Sequence, residues 1–97
     1  MKSLEELKNK LAERKEELQQ RYRVTEIGLF GSFVREEASE RSDVDLLVDF
    51  DKPIGLFEFQ ELEEYLSQIL GLRVDLVSRK ALKPHIGKRI LDEVVPV

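Results

Sequence analysis

Gly31-Ser32-Phe33-Val34-Arg35-Glu36-Glu37-Ala38-Ser39-Glu40-Arg41-Ser42-Asp43-Val44-Asp45 is the stretch on which the reading of this 97-residue chain turns. Just before it, Val24–Phe30 (VTEIGLF) has the composition of a strand, and Gly31-Ser32 ends that strand. Glycine lets a ligand approach the backbone closely, serine adds a hydroxyl, and the free N–H groups of a helical turn attract phosphate oxygens. Asp43 and Asp45 stand two apart at the start of a second apolar, β-branched run, Val44–Phe50. Side chains alternate across a strand, so both carboxylates leave one face with Cα atoms about 6.5–7 Å apart. That spacing lets them converge on one divalent ion, or share a pair of ions about 4 Å apart. Oxygen-only ligands suit Mg²⁺ or Mn²⁺, and Mg²⁺ commonly combines a few carboxylates with substrate phosphates.

Neither half of the pattern says much alone. A Gly-Ser pair is ordinary turn chemistry, and an Asp-x-Asp is more often a solvated strand edge. Together they are specific, because aspartate is disfavoured in strands and two like charges on one face repel unless a cation lies between them.

Outward from this stretch, residues 3–21 read as one amphipathic helix, with Leu4, Leu7, Leu11, Leu18 and Tyr22 on a stripe and a Ser3/Glu6 capping-box spacing at its start. Residues 33–37 suit a short helical turn, and Ala38-Ser39-Glu40-Arg41-Ser42 a loop. After the second strand, Lys52-Pro53-Ile54-Gly55 punctuates the chain. Leu56–Leu70 then has helical spacing, and Gly71 stands at its C-terminal cap. Residues 72–78 (LRVDLVS) read as a third strand. Pro84 opens a last helix with Ile86, Ile90, Leu91 and Val94 as its apolar face. The expected architecture is one α/β (α+β) domain over residues 1–97, a short mixed sheet flanked by helices.

Composition narrows the class. Apolar residues form 41% of the chain, and no run of about 18 of them offers a membrane span. MKSLEELKNK lacks the apolar stretch of a secretory signal, and there is no cysteine for a disulfide or a thiolate metal site. A cytoplasmic protein is expected. The net charge of −4 argues against general nucleic-acid binding, while leaving room for a local phosphate pocket.

Gly31-Ser32, ten residues, then Asp43-Val44-Asp45 resembles the signature of the polymerase-β-like nucleotidyltransferase superfamily. The chain is similar in particular to the minimal nucleotidyltransferases of bacteria and archaea. The leading helix, the Ser-Asp-Val-Asp-Leu-Leu-Val run and the closing Lys-Pro-x-Ile-x-x-x-Ile-Leu segment carry that likeness along the whole chain. The resemblance implies a third carboxylate on a later strand, and Asp75 is the only acidic residue in the third expected strand. It would complete a second metal site or take the proton of the acceptor hydroxyl. Asp43 and Asp45 would bind the nucleotide-associated metal. Gly31 and Ser32 would hold the β- and γ-phosphates of ATP, and Ser42 would orient Asp43 or touch the nucleotide. Arg35 is open between three roles: reaching the triphosphate, pairing structurally, or lying solvated on its turn. Asp49 reads as structural, His85 as a surface or capping residue, and Arg79, Lys80, Lys83, Lys88 and Arg89 as a solvated basic face.

Some members of that family are antitoxins that transfer AMP to a tyrosine of a partner HEPN-domain ribonuclease. The resemblance therefore implies a Mg²⁺-dependent transfer of AMP from ATP to a partner-protein hydroxyl. A protein acceptor is favoured because larger relatives acting on small molecules or RNA use an additional domain, for which these residues leave no room. Two alternatives stand beside it. One is a module that neutralises a HEPN protein by docking alone; the other is a subunit that binds ATP without transferring it. The intact set Gly31, Ser32, Asp43, Asp45 and Asp75 weighs against a degraded site.

Overall fold

A computed structural model of the chain describes residues 3–39 and 41–97; Glu40, within the expected loop, lies outside the described residues. The stripe of leucines builds two helices rather than one: α1, Leu4–Glu13, and α2, Lys15–Tyr22. The break falls at Arg14 (φ −105°, ψ 6°). Between Leu11 and Leu18 the positions that continue the stripe are Arg14 and Lys15, both exposed, so nothing apolar holds the helix to the core there. The Ser3 hydroxyl accepts the Glu6 N–H at 3.2 Å, as the capping spacing implies. Leu7, Leu11, Leu18 and Tyr22 are all buried.

Strands β1 (Val24–Phe30) and β2 (Val44–Phe50) pair antiparallel. β3 (Val74–Ser78) starts two residues later than the sequence suggests and runs parallel to β2. Helix α3 (Leu56–Leu70) connects β2 to β3 and ends at Gly71, whose φ of 67° is the left-handed cap conformation. Helix α4 (Pro84–Glu93) leads into β4 (Val95–Pro96), a two-residue strand that the sequence did not disclose. β4 pairs with Gly28 and Leu29 of β1, giving a mixed sheet in the order β3-β2-β1-β4.

One face of the sheet carries the core. Val44, Leu46, Val48 and Phe50 of β2, with Val74 and Leu76 of β3, pack in one cluster with Leu62, Leu66 and Leu70 of α3 and the leucines of α1 and α2. Tyr22 and Tyr65 meet at 5.6 Å between ring centres, with the Arg21 guanidinium 5.1 Å and 5.3 Å from the two rings. Because strand side chains alternate, burying the even residues of β2 turns Asp45, Leu47 and Asp49 to the other face. That face is where α4 comes back: Val94 and the Val95 carbonyl lie directly over Gly28. Ile86 and Leu91 of α4 nevertheless remain 59% and 42% exposed, so the apolar face expected of this helix is only partly covered. No helix among the described residues is long and apolar enough to cross a membrane.

The open edge of β3 is held by side chains of the preceding helix. The Val74 N–H donates to Ser67 Oγ at 3.1 Å, and the Leu76 N–H to Glu63 Oε2 at 2.9 Å. Two edge amides that would otherwise offer pairing to another chain are thereby satisfied. Glu63→Ala is expected to cost about 1–2 kcal/mol, since it orphans a partly buried N–H that donates to a carboxylate. Urea unfolding of the variant against wild type checks this, and Glu63→Gln should recover part of the loss.

Candidate active site

Asp45, the second residue of β2, is flanked in register by Phe30 on β1 and by Asp75 on β3. Residues opposite one another in a sheet send their side chains to the same face, so Asp45 and Asp75 lie side by side on strands about 4.8 Å apart. Asp43, exposed, stands one residue before β2. Burial pushes the Asp45 carboxyl up to about 6, and the charges of Asp75 and then Asp43 add to the rise. Arg35 pulls it down and Glu93 pushes it further up. Asp43 and Asp45, picked out by spacing, and Asp75, implied by the family resemblance, therefore form one electrostatic unit. Among the described residues, no three acidic or histidine side chains gather closely enough to enclose a metal ion by themselves.

Gly31 begins a 3-10 turn, Gly31–Phe33, two residues earlier than the sequence reading placed its helical turn. Its φ is +81°, and a Cβ built there would fall on Asp45 Oδ2 and lie 2.8 Å from Asp45 Cγ. Glycine is required at this position for two reasons: the left-handed backbone and the carboxylate pressed against its Cα. Ser32 follows, half-buried. The Ser32 amide lies in the first turn, before the N–H groups that close its i→i+3 hydrogen bonds.

Other expected site residues have protein partners of their own. The Ser42 hydroxyl accepts the Ser39 N–H at 2.8 Å, so it folds the loop in front of Asp43. Arg35 donates from its Nη1 to Glu93 Oε1 at 2.8 Å and from Nε to Glu37 Oε2 at 3.2 Å, which realises the ion-pair reading. Asp49 Oδ1 accepts its neighbouring Phe50 N–H, a local structural role. Arg79 of the C-terminal basic group pairs with Glu26 at 3.1 Å, while Lys80, Lys83, Lys88, Arg89 and His85 are exposed.

Glu93 escaped the sequence reading. Its Oε1 accepts both the Gly31 N–H at 2.9 Å and the Arg35 guanidinium. The pairs are separated by 62 and 58 residues, and nothing local distinguishes this glutamate among the chain's other acidic residues.

The chain matches the family described as nucleotidyltransferase domain over residues 11–97. It belongs to that family. A protein adenylyltransferase of Thermococcus cleftensis, MntA, is 56% identical over 97 residues, covering 100% of this chain and 98% of the relative. A solved minimal nucleotidyltransferase superposes with a TM-score of 0.76 at 36% identity, covering 94% of this chain and 95% of that one. The MNT antitoxin in complex with tri-AMPylated HEPN toxin of Shewanella oneidensis gives a TM-score of 0.69 at 19% identity, over 93% of this chain and 70% of that one. At that identity the likeness speaks for the fold alone. The minimal nucleotidyltransferase fold expected from Gly31-Ser32 and Asp43-Val44-Asp45 is thus the one this chain adopts, and a nucleotide is the substrate class of the family.

Proposed function

We propose that this nucleotidyltransferase is a protein adenylyltransferase: it transfers AMP from ATP to a hydroxyl, in our reading a tyrosine, of a HEPN-domain partner. The observation that carries the proposal is the alignment of Asp45 with Asp75 across β2 and β3, beside the Gly31–Phe33 turn and with Asp43 next to them. Support for AMP as the group and a protein as the acceptor comes from the 56% identical protein adenylyltransferase. The complex of an MNT antitoxin with an AMPylated HEPN toxin supports the partner class.

A divalent cation fits the residues. Asp45, raised to about 6 by burial first and then by the charges of Asp75 and Asp43, forms with them a hard, oxygen-only donor set with excess negative charge. Since they do not enclose an ion alone, phosphate oxygens of the substrate would complete the shell, which is the usual habit of Mg²⁺. Asp43 and Asp45 would hold Mg²⁺ (or Mn²⁺), which when bound offsets the charge of the triphosphate and of the leaving pyrophosphate. Gly31 and Ser32, with the Ser32 hydroxyl, would orient the terminal phosphates. The acceptor oxygen attacks the α-phosphorus in line, forming the new O–P bond as the bond to pyrophosphate breaks. Asp75, the exposed member of the in-register pair, would complete a second metal site or take the hydroxyl proton. A cytoplasmic setting, where ATP is made available, goes with this reading.

The test is transfer of label from α-labelled ATP with Mg²⁺, in the presence and absence of a HEPN-domain partner. Label on the partner with wild type, and a loss of at least about 100-fold in Asp43→Asn, is the expected result. A stable complex that never acquires label would leave a docking module in place of an enzyme.

A further inference from the structure

Gly31 opens the turn that faces the aspartates, yet its N–H is already spoken for. It donates to Glu93 Oε1 at 2.9 Å, and the same oxygen accepts Arg35 Nη1 at 2.8 Å. A backbone amide and a guanidinium converging on one anionic oxygen form the donor set by which proteins hold a phosphate oxygen. The carboxylate that fills it comes from the last residue of α4, which is 22% exposed, so one side of it faces solvent. Glu93 also adds a fourth negative charge to Asp43, Asp45 and Asp75 at the place where a polyphosphate would approach.

We propose that Glu93 is an internal stand-in for a phosphate group: it occupies the Gly31 N–H and Arg35 in the nucleotide-free protein, and a terminal phosphate of the bound nucleotide displaces it. This inference rests on the nucleotide-binding reading above. Three features of the contact support it. Both donors sit at or just after the Gly31–Phe33 turn, beside half-buried Ser32, the residue assigned to the terminal phosphates above. The glutamate side chain can rotate away without unwinding α4, because the backbone at its C-terminal end is held separately by the Val94 N–H on the Ile90 carbonyl at 2.9 Å. Arg35 keeps a second partner, Glu37, at 3.2 Å, so it remains anchored at the turn when Glu93 leaves.

The consequence runs opposite to that of a structural strut. Glu93→Gln retains an oxygen that accepts the Gly31 N–H, so the turn is held, but the competing charge is gone. Binding of AMP-PNP, measured by calorimetry with Mg²⁺, is expected to tighten about 3- to 10-fold in Glu93→Gln, each factor of ten being the usual scale of one lost charge contact. Inorganic tripolyphosphate, which has no nucleoside, should show the same gain. Arg35→Ala should weaken AMP-PNP binding more in the Glu93→Gln background than in wild type, because there the guanidinium is free to serve the phosphate. Melting curves identify any variant that is not folded, in which case Glu93→Asp, too short to reach both donors, replaces it with the same expected gain. If wild type binds AMP-PNP and the folded variant binds it equally or more weakly, Glu93 is a strut and the inference is overturned alone. If wild type binds neither probe, the nucleotide-binding reading falls and this inference with it.

Discussion

Asp45→Asn is expected to abolish AMP transfer while making the metal-free protein more stable. The transfer loss, at least about 100-fold, follows from removing a carboxylate at the centre of the aspartate group. The stability gain follows from what raises the Asp45 carboxyl to about 6: burial first, then the charges of Asp75 and Asp43. An unfolded aspartate titrates near 4, so between those values the folded chain holds the proton more tightly than the unfolded one. Stability therefore falls as pH rises through this window. The penalty is absent below about pH 4 and complete above about pH 6. Asparagine has the same shape without the charge, so the variant escapes the penalty. Two pKa units correspond to roughly 3 kcal/mol, and partial solvent access reduces that to about 1–2 kcal/mol. Urea unfolding in the presence of a chelator at pH 8 and at pH 4 checks this: the variant should be the more stable at pH 8, with the difference closing at pH 4. Equal stability at both values would mean that the carboxylates do not strain the folded state.

Gly31→Ala is the other change of large effect. Alanine at a φ of +81° costs about 1 kcal/mol for the backbone alone. Its methyl would also fall on Asp45 Oδ2, so the carboxylate or the turn must move. The combined loss is expected to be about 2–4 kcal/mol in urea unfolding, with transfer abolished because Asp45 is displaced. The origin of the second part is open to a direct check. Asp45→Ala removes both the Oδ2 and Cγ atoms that the new methyl meets, so the double variant should lose less than the sum of the single losses. Additive losses would place the damage in the backbone conformation alone.

Both effects depend on the same few ångströms, and the sequence disclosed them unequally. Strand alternation around Val44–Phe50 was enough to put Asp45 off the core, since Val44, Leu46 and Val48 can only be buried together on one side. The leucine stripe named every buried residue of the first helices together with half-buried Leu4, yet it missed the break at Arg14, because an amphipathic period tolerates one polar turn and the backbone need not. β4 was invisible for a plainer reason: two residues, one of them proline, have no period to read. The apolar face of α4 was legible as a pattern, but how much of it the fold covers was not.

What the sequence determined by itself was local or periodic. It supplied the chemistry of Gly31-Ser32 and Asp43-Val44-Asp45, the strands that carry them, and the helix from Leu56 to Leu70 with its glycine cap; the candidacy of Asp75 came from the family resemblance. The tertiary structure alone decided the partners: Asp75 beside Asp45 rather than merely on a strand, Glu63 on the edge of β3, and Glu93 in the donors of Gly31 and Arg35. Side-chain alternation and helical period are properties of a few consecutive residues, and a sequence states them directly. A contact spanning some sixty residues is fixed only when the sheet closes and brings the end of α4 back to the turn, and no local pattern encodes that closure.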